Sequence, residues 1–322
     1  MKIGFIGLGN VGGKLAGSLL RNGFDLTVRD LDRAAAEPFL TEGAAWADSP
    51  KAMAEAVDLV ITCLPSPAAS AAVMEAEDGI LAGLSAGKLW AEMSTTDEAE
   101  VKRLGALVAA KGAEPIDCPV SGGCHRAATG NISIFAGAER ATFEKVLPAL
   151  TAMGRRILHT GPLGSASVLK VVTNYLASVH LAALGEALMT AKMAGMDLNT
   201  TYEAIRISSG NSFVHETESQ VILNGSRDIN FTMDLVVKDM SLFDGLAQRN
   251  AVPLEISPLV LGIFKDGQAR YGARAWSPGI VRRLEEACGA ELLAPGFPAE
   301  MVDEEPEEPG AEVTPKGLER VA

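Results

Sequence analysis

Three glycines stand close together near the start of the chain, in Gly7-Leu8-Gly9-Asn10-Val11-Gly12, and Asp30 follows eighteen residues after the last of them. The chemistry open to that spacing is anion binding by bare backbone. Gly7 permits a tight turn, Gly9 lets the main chain approach a pyrophosphate, and Gly12 lets a helix pack closely on a strand. Between them, Asn10 and Val11 complete a cradle of free N–H groups at a positive helix end. Asp30 closes the run Leu26-Thr27-Val28-Arg29-Asp30. A carboxylate there can accept hydrogen bonds from both adenosine ribose hydroxyls and repels a 2′-phosphate, which favours NAD over NADP. Arg29 and Arg33 bear on the same choice: each is either a phosphate partner or a solvated charge at a strand end.

Two further groups could act on a substrate. In Asp117-Cys118-Pro119-Val120-Ser121-Gly122-Gly123 a serine and two glycines leave N–H groups open to a carboxylate, although a flexible glycine turn has the same composition. Lys170 and Asn174 lie four residues apart in an apolar helical stretch and so share one face. A lysine in such surroundings is costly without a partner or a task. It can exchange a proton with a substrate oxygen while the Asn174 amide fixes orientation, or it can snorkel from the helix end.

The elements that must position these groups are legible from periodicity. Short apolar runs at 2–6, 25–29, 59–64, 89–93, 113–118, 132–136 and 156–160 alternate with helical segments. That pattern predicts a mostly parallel, doubly wound sheet with ligands at the strands' carboxyl ends. Beyond Gly164 an apolar helix of about thirty residues begins near Ser165, with the profile of a central buried helix. Helical patterns follow at 199–208, 214–223, 233–249, 255–268 and 279–288. The expected fold is α/β, with a Rossmann-type domain over 1–163 and an all-α domain built around the long helix over 164–292. Residues 293–322 carry Asp303-Glu304-Glu305-Pro306-Glu307-Glu308-Pro309-Gly310, an acidic, proline-bearing run expected to be disordered.

With 322 residues, 48% of them apolar, the chain can bury a sizeable core. Its formal net charge of −13 disfavours nucleic acid or an anionic membrane as partner, so an anionic substrate must be drawn in by local cations. A strand predicted from residue 2 leaves no room for a secretory leader, and Lys170, Asn174, His180, Glu186 and Lys192 interrupt the most apolar segment. The four cysteines and four histidines lack metal-ligand spacing. The expectation is a cytoplasmic protein with reduced thiols and no metal.

These motifs in this order resemble the β-hydroxyacid dehydrogenases typified by 3-hydroxyisobutyrate dehydrogenase, over Met1 to about Gly289. The resemblance rests on the glycine turn, Leu64-Pro65, Ser94-Thr95, the loop 117–123, Gly161-Pro162-Leu163-Gly164 leading into Lys170-Val171-Val172-Thr173-Asn174, and Lys238-Asp239. It implies that Lys170 is the catalytic lysine and Asn174 its partner in positioning substrate. Ser121, Gly122 and Gly123 would bind the substrate carboxylate, and Leu64, Pro65, Thr95 and Lys238 would contact the cofactor. The resemblance also implies a homodimer or homotetramer built through the helical domain.

Departures from the family pattern bear on the substrate. Glu92-Met93 precedes Ser94-Thr95 in place of the usual pair, Thr173 replaces a common asparagine, and Cys124-His125-Arg126 replaces small residues. Arg126 is either a second cationic contact for a carboxylate, sulfonate or phosphate, or a solvent-facing loop residue. Ala177 stands where related 6-phosphogluconate dehydrogenases carry an acidic residue for decarboxylation, which favours simple hydride transfer on a small 3-hydroxy acid or its semialdehyde. An NADPH-linked aldehyde or imine reductase and a non-catalytic dinucleotide sensor are the alternatives.

Overall fold

Alternation of side chains along the strands accounts for the two-faced core of the first unit. Ile3 and Phe5, Leu59 and Ile61, and Leu89 and Ala91 bury one face of the sheet, where Leu15, Leu19 and Phe143 also pack. Ile6, Val60 and Trp90, one residue out of phase, bury the other face with Met53, Met74, Leu104 and Val108. Strands apolar on both faces must be covered on both, and helices supply the cover.

The computed structural model describes residues 1–317. Its strands are β1 (Lys2–Ile6), β2 (Asp25–Arg29), β3 (Ala45–Trp46), β4 (Leu59–Thr62), β5 (Leu89–Glu92), β6 (Glu114–Asp117), β7 (Val120–Ser121), β8 (Ile132–Gly137), β9 (Gly154–Gly161) and β10 (Ala311–Glu312). They form one sheet in the order β10-β9-β8-β6-β5-β4-β1-β2-β3, with β7 paired to β8. The pairings from β3 to β6 are parallel, whereas β8 runs antiparallel to β6 and β7. The expected Rossmann-type sheet is therefore present, and β3, β7 and β10 are strands that periodicity did not reveal, each only two residues long.

Register decides where the loops emerge. Ile6 is level with Arg29 and Thr62, Thr62 with Glu92, and Glu92 with Asp117. Five parallel strands thus end in one line. The glycine turn, Asp30, Leu64-Pro65, Ser94-Thr95 and the loop after Asp117 all leave the same edge of the sheet.

The long helix spans Ser165–Met193. It is long and apolar enough to cross a membrane by length and composition alone. The expectation of burial on nearly all sides does not hold in the single chain: Leu176 and Met193 are exposed, while Leu181, Leu184, Leu188 and Met189 sit in a core. That i, i+3, i+7 spacing buries one stripe and leaves the opposite one uncovered. The core of the second unit joins this stripe to Val236 and Met240 of helix Met233–Arg249 and to Val260, Leu261 and Phe264 of helix Ile256–Tyr271.

Compact units divide at Lys170/Val171 rather than at 163/164, and the chain rejoins the first unit from Asp303 onward. The tail corrects the expectation of disorder as far as it is described; residues 318–322 of it lie outside the described residues. Strand β10 pairs in parallel with β9, the Gly310 amide donates to the Thr151 carbonyl (2.8 Å) and the Val313 amide to the Ile157 carbonyl (2.7 Å). Arg140 holds the Glu312 carboxylate through two hydrogen bonds of 2.6 and 3.0 Å, Arg21 meets Glu307 at 3.2 Å, and Arg155 pairs with Glu308. A segment too polar to build a core orders here because a sheet edge and several arginines supply its partners.

Candidate cofactor and substrate site

The glycine turn has a distinct physical reason at each position. Gly7 has φ +99°, and a Cβ on it would lie 2.2 Å from the Cys63 carbonyl oxygen. A Cβ on Gly12 would lie 2.0 Å from the Gly7 carbonyl oxygen, so only glycine lets the helix start against the turn. At Gly9 a Cβ meets nothing within 4 Å. The space beside Gly9 is thus unfilled by protein at the point where a phosphate would approach, and no side chain caps the helix Gly12–Arg21 that follows. These residues fit a dinucleotide: open amides at a helix N-terminus with a carboxylate at the neighbouring strand end.

That carboxylate belongs to Asp30. One oxygen accepts from the Leu8 amide at 2.6 Å and the other from the Asp32 amide at 3.0 Å, an arrangement that fixes its orientation beside the turn. Arg29 is committed elsewhere, donating to the carbonyls of Ala47 (2.9 Å) and Asp48 (2.7 Å) and lying over the Trp46 ring. Arg33 lies over the same ring and within 3.9 Å of Glu37. Neighbouring loops are stitched together, since the Leu64 amide donates to Ser94 Oγ at 2.7 Å and the Ser94 amide to the Glu92 carboxylate at 2.9 Å. Thus the Leu64-Pro65 and Ser94-Thr95 segments are held side by side. Glu92 is fully buried on the Trp90 face of the sheet, and that burial raises its carboxyl above the ordinary range.

Ser121 lies in β7 opposite Ser133 of β8, followed by Gly122 at φ +128° and Gly123 at φ +88°, conformations that favour glycine. The five-residue helix Cys124–Ala128 begins there. Its His125 ring would lie 2.7 Å from a Cβ on Gly123, and the Arg126 chain 3.5 Å from one on Gly122, so both side chains fold back over the loop. Burial lowers the His125 pKa, as does the Arg126 charge, against the opposing effect of Asp303. Arg126 is not simply turned to solvent: its guanidinium lies 3.7 Å from the Glu305 carboxylate.

The long helix is anchored by a residue whose role spacing did not reveal. Asp117, fully buried at the end of β6, accepts from the amides of Gly164 and Ser167 (both 2.7 Å) and from Ser167 Oγ (2.8 Å). It caps a helix that begins far along the chain, and Lys170, buried, follows Ser167 within one turn. Burial pushes the Asp117 carboxyl up against these hydrogen bonds, which favour its charged form. In the second unit, Asn174 donates from Nδ2 to Asp239 at 2.5 Å, and Lys238 pairs with the same carboxylate at 2.8 Å. Asp239 is buried, so it orients both groups; its only sequence signal is its place beside Lys238. Among the described residues no group of three or more His, Cys, Asp and Glu could hold a metal ion.

A sheet with an open glycine turn and a strand-end carboxylate, followed by a helical unit, is the architecture of a Rossmann-type dinucleotide-binding protein. Residues 2–161 match the NAD binding domain of 6-phosphogluconate dehydrogenase, and residues 164–284 match the NAD-binding domain of NADP-dependent 3-hydroxyisobutyrate dehydrogenase. The chain is 32% identical over 91% of its length, and 97% of the relative's, to 2-(hydroxymethyl)glutarate dehydrogenase of Eubacterium barkeri. It is also 32% identical to the NAD-dependent L-serine dehydrogenase of Pseudomonas aeruginosa, over 82% of this chain and 91% of that one. The crystal structure of a 3-hydroxyisobutyrate dehydrogenase from Salmonella typhimurium shares 29% identity and a TM-score of 0.80, covering 88% of this chain and 99% of its own. The chain belongs to the β-hydroxyacid dehydrogenase family, whose members are NAD(P)-dependent oxidoreductases.

Proposed function

We propose that this chain is an NAD-dependent dehydrogenase of a small 3-hydroxy acid, working reversibly between the hydroxy acid and its semialdehyde. The observation that carries the reading is the pair of anchors on either side of Lys170: Asp117 caps the helix just before it, and Asp239 holds Asn174 one turn after it. A lysine that merely snorkelled would carry its amine out to solvent, whereas Lys170 is buried between them. The preference for NAD is supported by the Asp30 carboxylate beside the glycine turn and by the carbonyls that engage Arg29.

The glycine turn, Asn10 and Val11 would hold the phosphates, Asp30 the adenosine ribose, and Leu64, Pro65, Thr95 and Lys238 the remainder of the cofactor. The bound nicotinamide supplies hydride exchange at its C4. Ser121, Gly122 and Gly123 bind the substrate carboxylate, with Arg126 beside them. Lys170 takes the hydroxyl proton during oxidation and, as ammonium, polarises and protonates the carbonyl during reduction, while Asn174 orients the same oxygen. The uncovered stripe of the long helix, with Leu176 and Met193 exposed, supports association of copies into a dimer or tetramer.

The test is Lys170→Ala, measured by NADH titration and by steady-state rates with 3-hydroxyisobutyrate, L-serine, L-threonate and 2-(hydroxymethyl)glutarate using NAD and NADP. Loss of a positioned acid/base lowers kcat about a hundredfold to ten-thousandfold. NADH binding stays intact. Near-parent turnover refutes the role of Lys170, and a strong preference for NADP refutes the role of Asp30.

A further inference from the structure

The acidic tail docks beside the loop assigned above to the substrate carboxylate. Asp303 accepts hydrogen bonds from Thr129 Oγ1 and, at 2.8 Å, from Asn131 Nδ2, while the same amide donates to the Glu305 carbonyl at 2.9 Å. Those contacts bracket the end of helix Cys124–Ala128. Arg21 ties the two together, donating to the Ala128 carbonyl at 2.9 Å and to the Glu307 carboxylate at 3.2 Å. A helix of five residues has too few internal hydrogen bonds to stand alone, so tertiary contacts must hold it. Here the tail holds Thr129 and Asn131, which directly follow the helix, and reaches Arg126 within it.

Charge matters as much as position. Arg126 lies over Gly122, and the Glu305 carboxylate lies 3.7 Å from its guanidinium. Asp303, two residues earlier, is held at the same place by Thr129 and Asn131. A substrate with one carboxylate engages the Ser121–Gly123 amides without meeting either acid. A substrate with a second carboxylate on a longer arm has to compete with Glu305 for Arg126 beside Asp303.

We propose that the C-terminal tail is a specificity element of the substrate loop, in which Glu305 balances Arg126 and selects hydroxy acids with a single carboxylate over those with two. This rests on the reading of Ser121–Gly123 as the carboxylate-binding loop. It assigns a task to a segment that lies beyond residue 284, where the match to the family's domains ends.

The experiment compares 3-hydroxyisobutyrate with 2-(hydroxymethyl)glutarate, which share the hydroxymethyl carboxylate and differ in the distal carboxylate arm. In Glu305→Gln the ratio of kcat/KM for the dicarboxylate over the monocarboxylate should rise about two- to fivefold, the range of one solvent-exposed ion pair. Rates on the monocarboxylate should stay near those of the parent, and Glu305→Asp should keep the parent ratio. Adding Arg126→Ala to Glu305→Gln should remove the gain. The parent's discrimination should also shrink with added salt, as a charge effect between exposed groups must. A Glu305→Gln ratio equal to the parent's, with normal turnover of the monocarboxylate, overturns the tail proposal and leaves the enzymatic reading standing. Absence of turnover on both substrates in every variant, parent included, overturns both.

Discussion

Replacing Asp117 by alanine should unanchor the long helix and cripple the site together. Its carboxylate accepts three hydrogen bonds, from the Gly164 amide, the Ser167 amide and Ser167 Oγ, at 2.7 to 2.8 Å and out of contact with solvent. Leaving a buried donor unsatisfied costs about 1 to 3 kcal/mol, so three give a gross loss of about 3 to 9. Relief of the carboxylate's own desolvation and entry of a water into the vacated space offset part of this, leaving a net loss of about 2 to 5 kcal/mol. Asp117→Asn keeps one carbonyl oxygen as acceptor but turns an NH2 group towards a donor, so its loss should be smaller, about 1 to 2 kcal/mol. Urea denaturation followed by circular dichroism measures both, and kcat on the best substrate should fall in the same order because Lys170 follows Ser167 by one turn. A loss below about 0.5 kcal/mol in Asp117→Ala, with kcat unchanged, would refute the capping argument.

The glycine turn allows a test by contrast. Gly9→Ala introduces a Cβ into open space and should leave the melting temperature of the cofactor-free protein unchanged while weakening NADH binding at least tenfold by fluorescence titration, whereas Gly12→Ala drives a Cβ onto the Gly7 carbonyl and should lower the melting temperature outright. If both variants bind NADH like the parent, the turn is not the phosphate cradle. Glu218, on helix Phe213–Asn224, is pushed by burial up to about 8 and has a carboxylate oxygen without a hydrogen-bond partner among the described residues. Its native form holds a proton that the unfolded chain releases near pH 4.5, so stability falls as pH rises between these values. Glu218→Gln should therefore gain in melting temperature over the parent progressively from pH 5 to about 8 and level off above; a constant difference across that range would show that Glu218 does not titrate in it.

Residues close in sequence determined much of this protein without any tertiary information. The turn Gly7–Gly12 could be read because its strand, turn and helix are contiguous, and each glycine answers to a backbone constraint a few residues away. The strands at 2–6 and 25–29 were legible for the same reason, since each is a short run of five residues, apolar without break after Lys2 in the first and alternating in the second. Lys170 and Asn174 share a helix face by spacing alone. Tertiary structure decided what holds those groups. Asp117 caps a helix 47 residues further on, and Asp239 reaches Asn174 across 65 residues. No local period encodes such a pairing, because any buried carboxylate at a strand end or on a helix would leave the same mark in the sequence. The tail shows the limit most clearly. Composition counts what a segment can bury by itself, and residues 303–312 bury little; they order because Arg21, Arg140, Arg155 and the edge of β9, distant in sequence, receive their carboxylates and backbone.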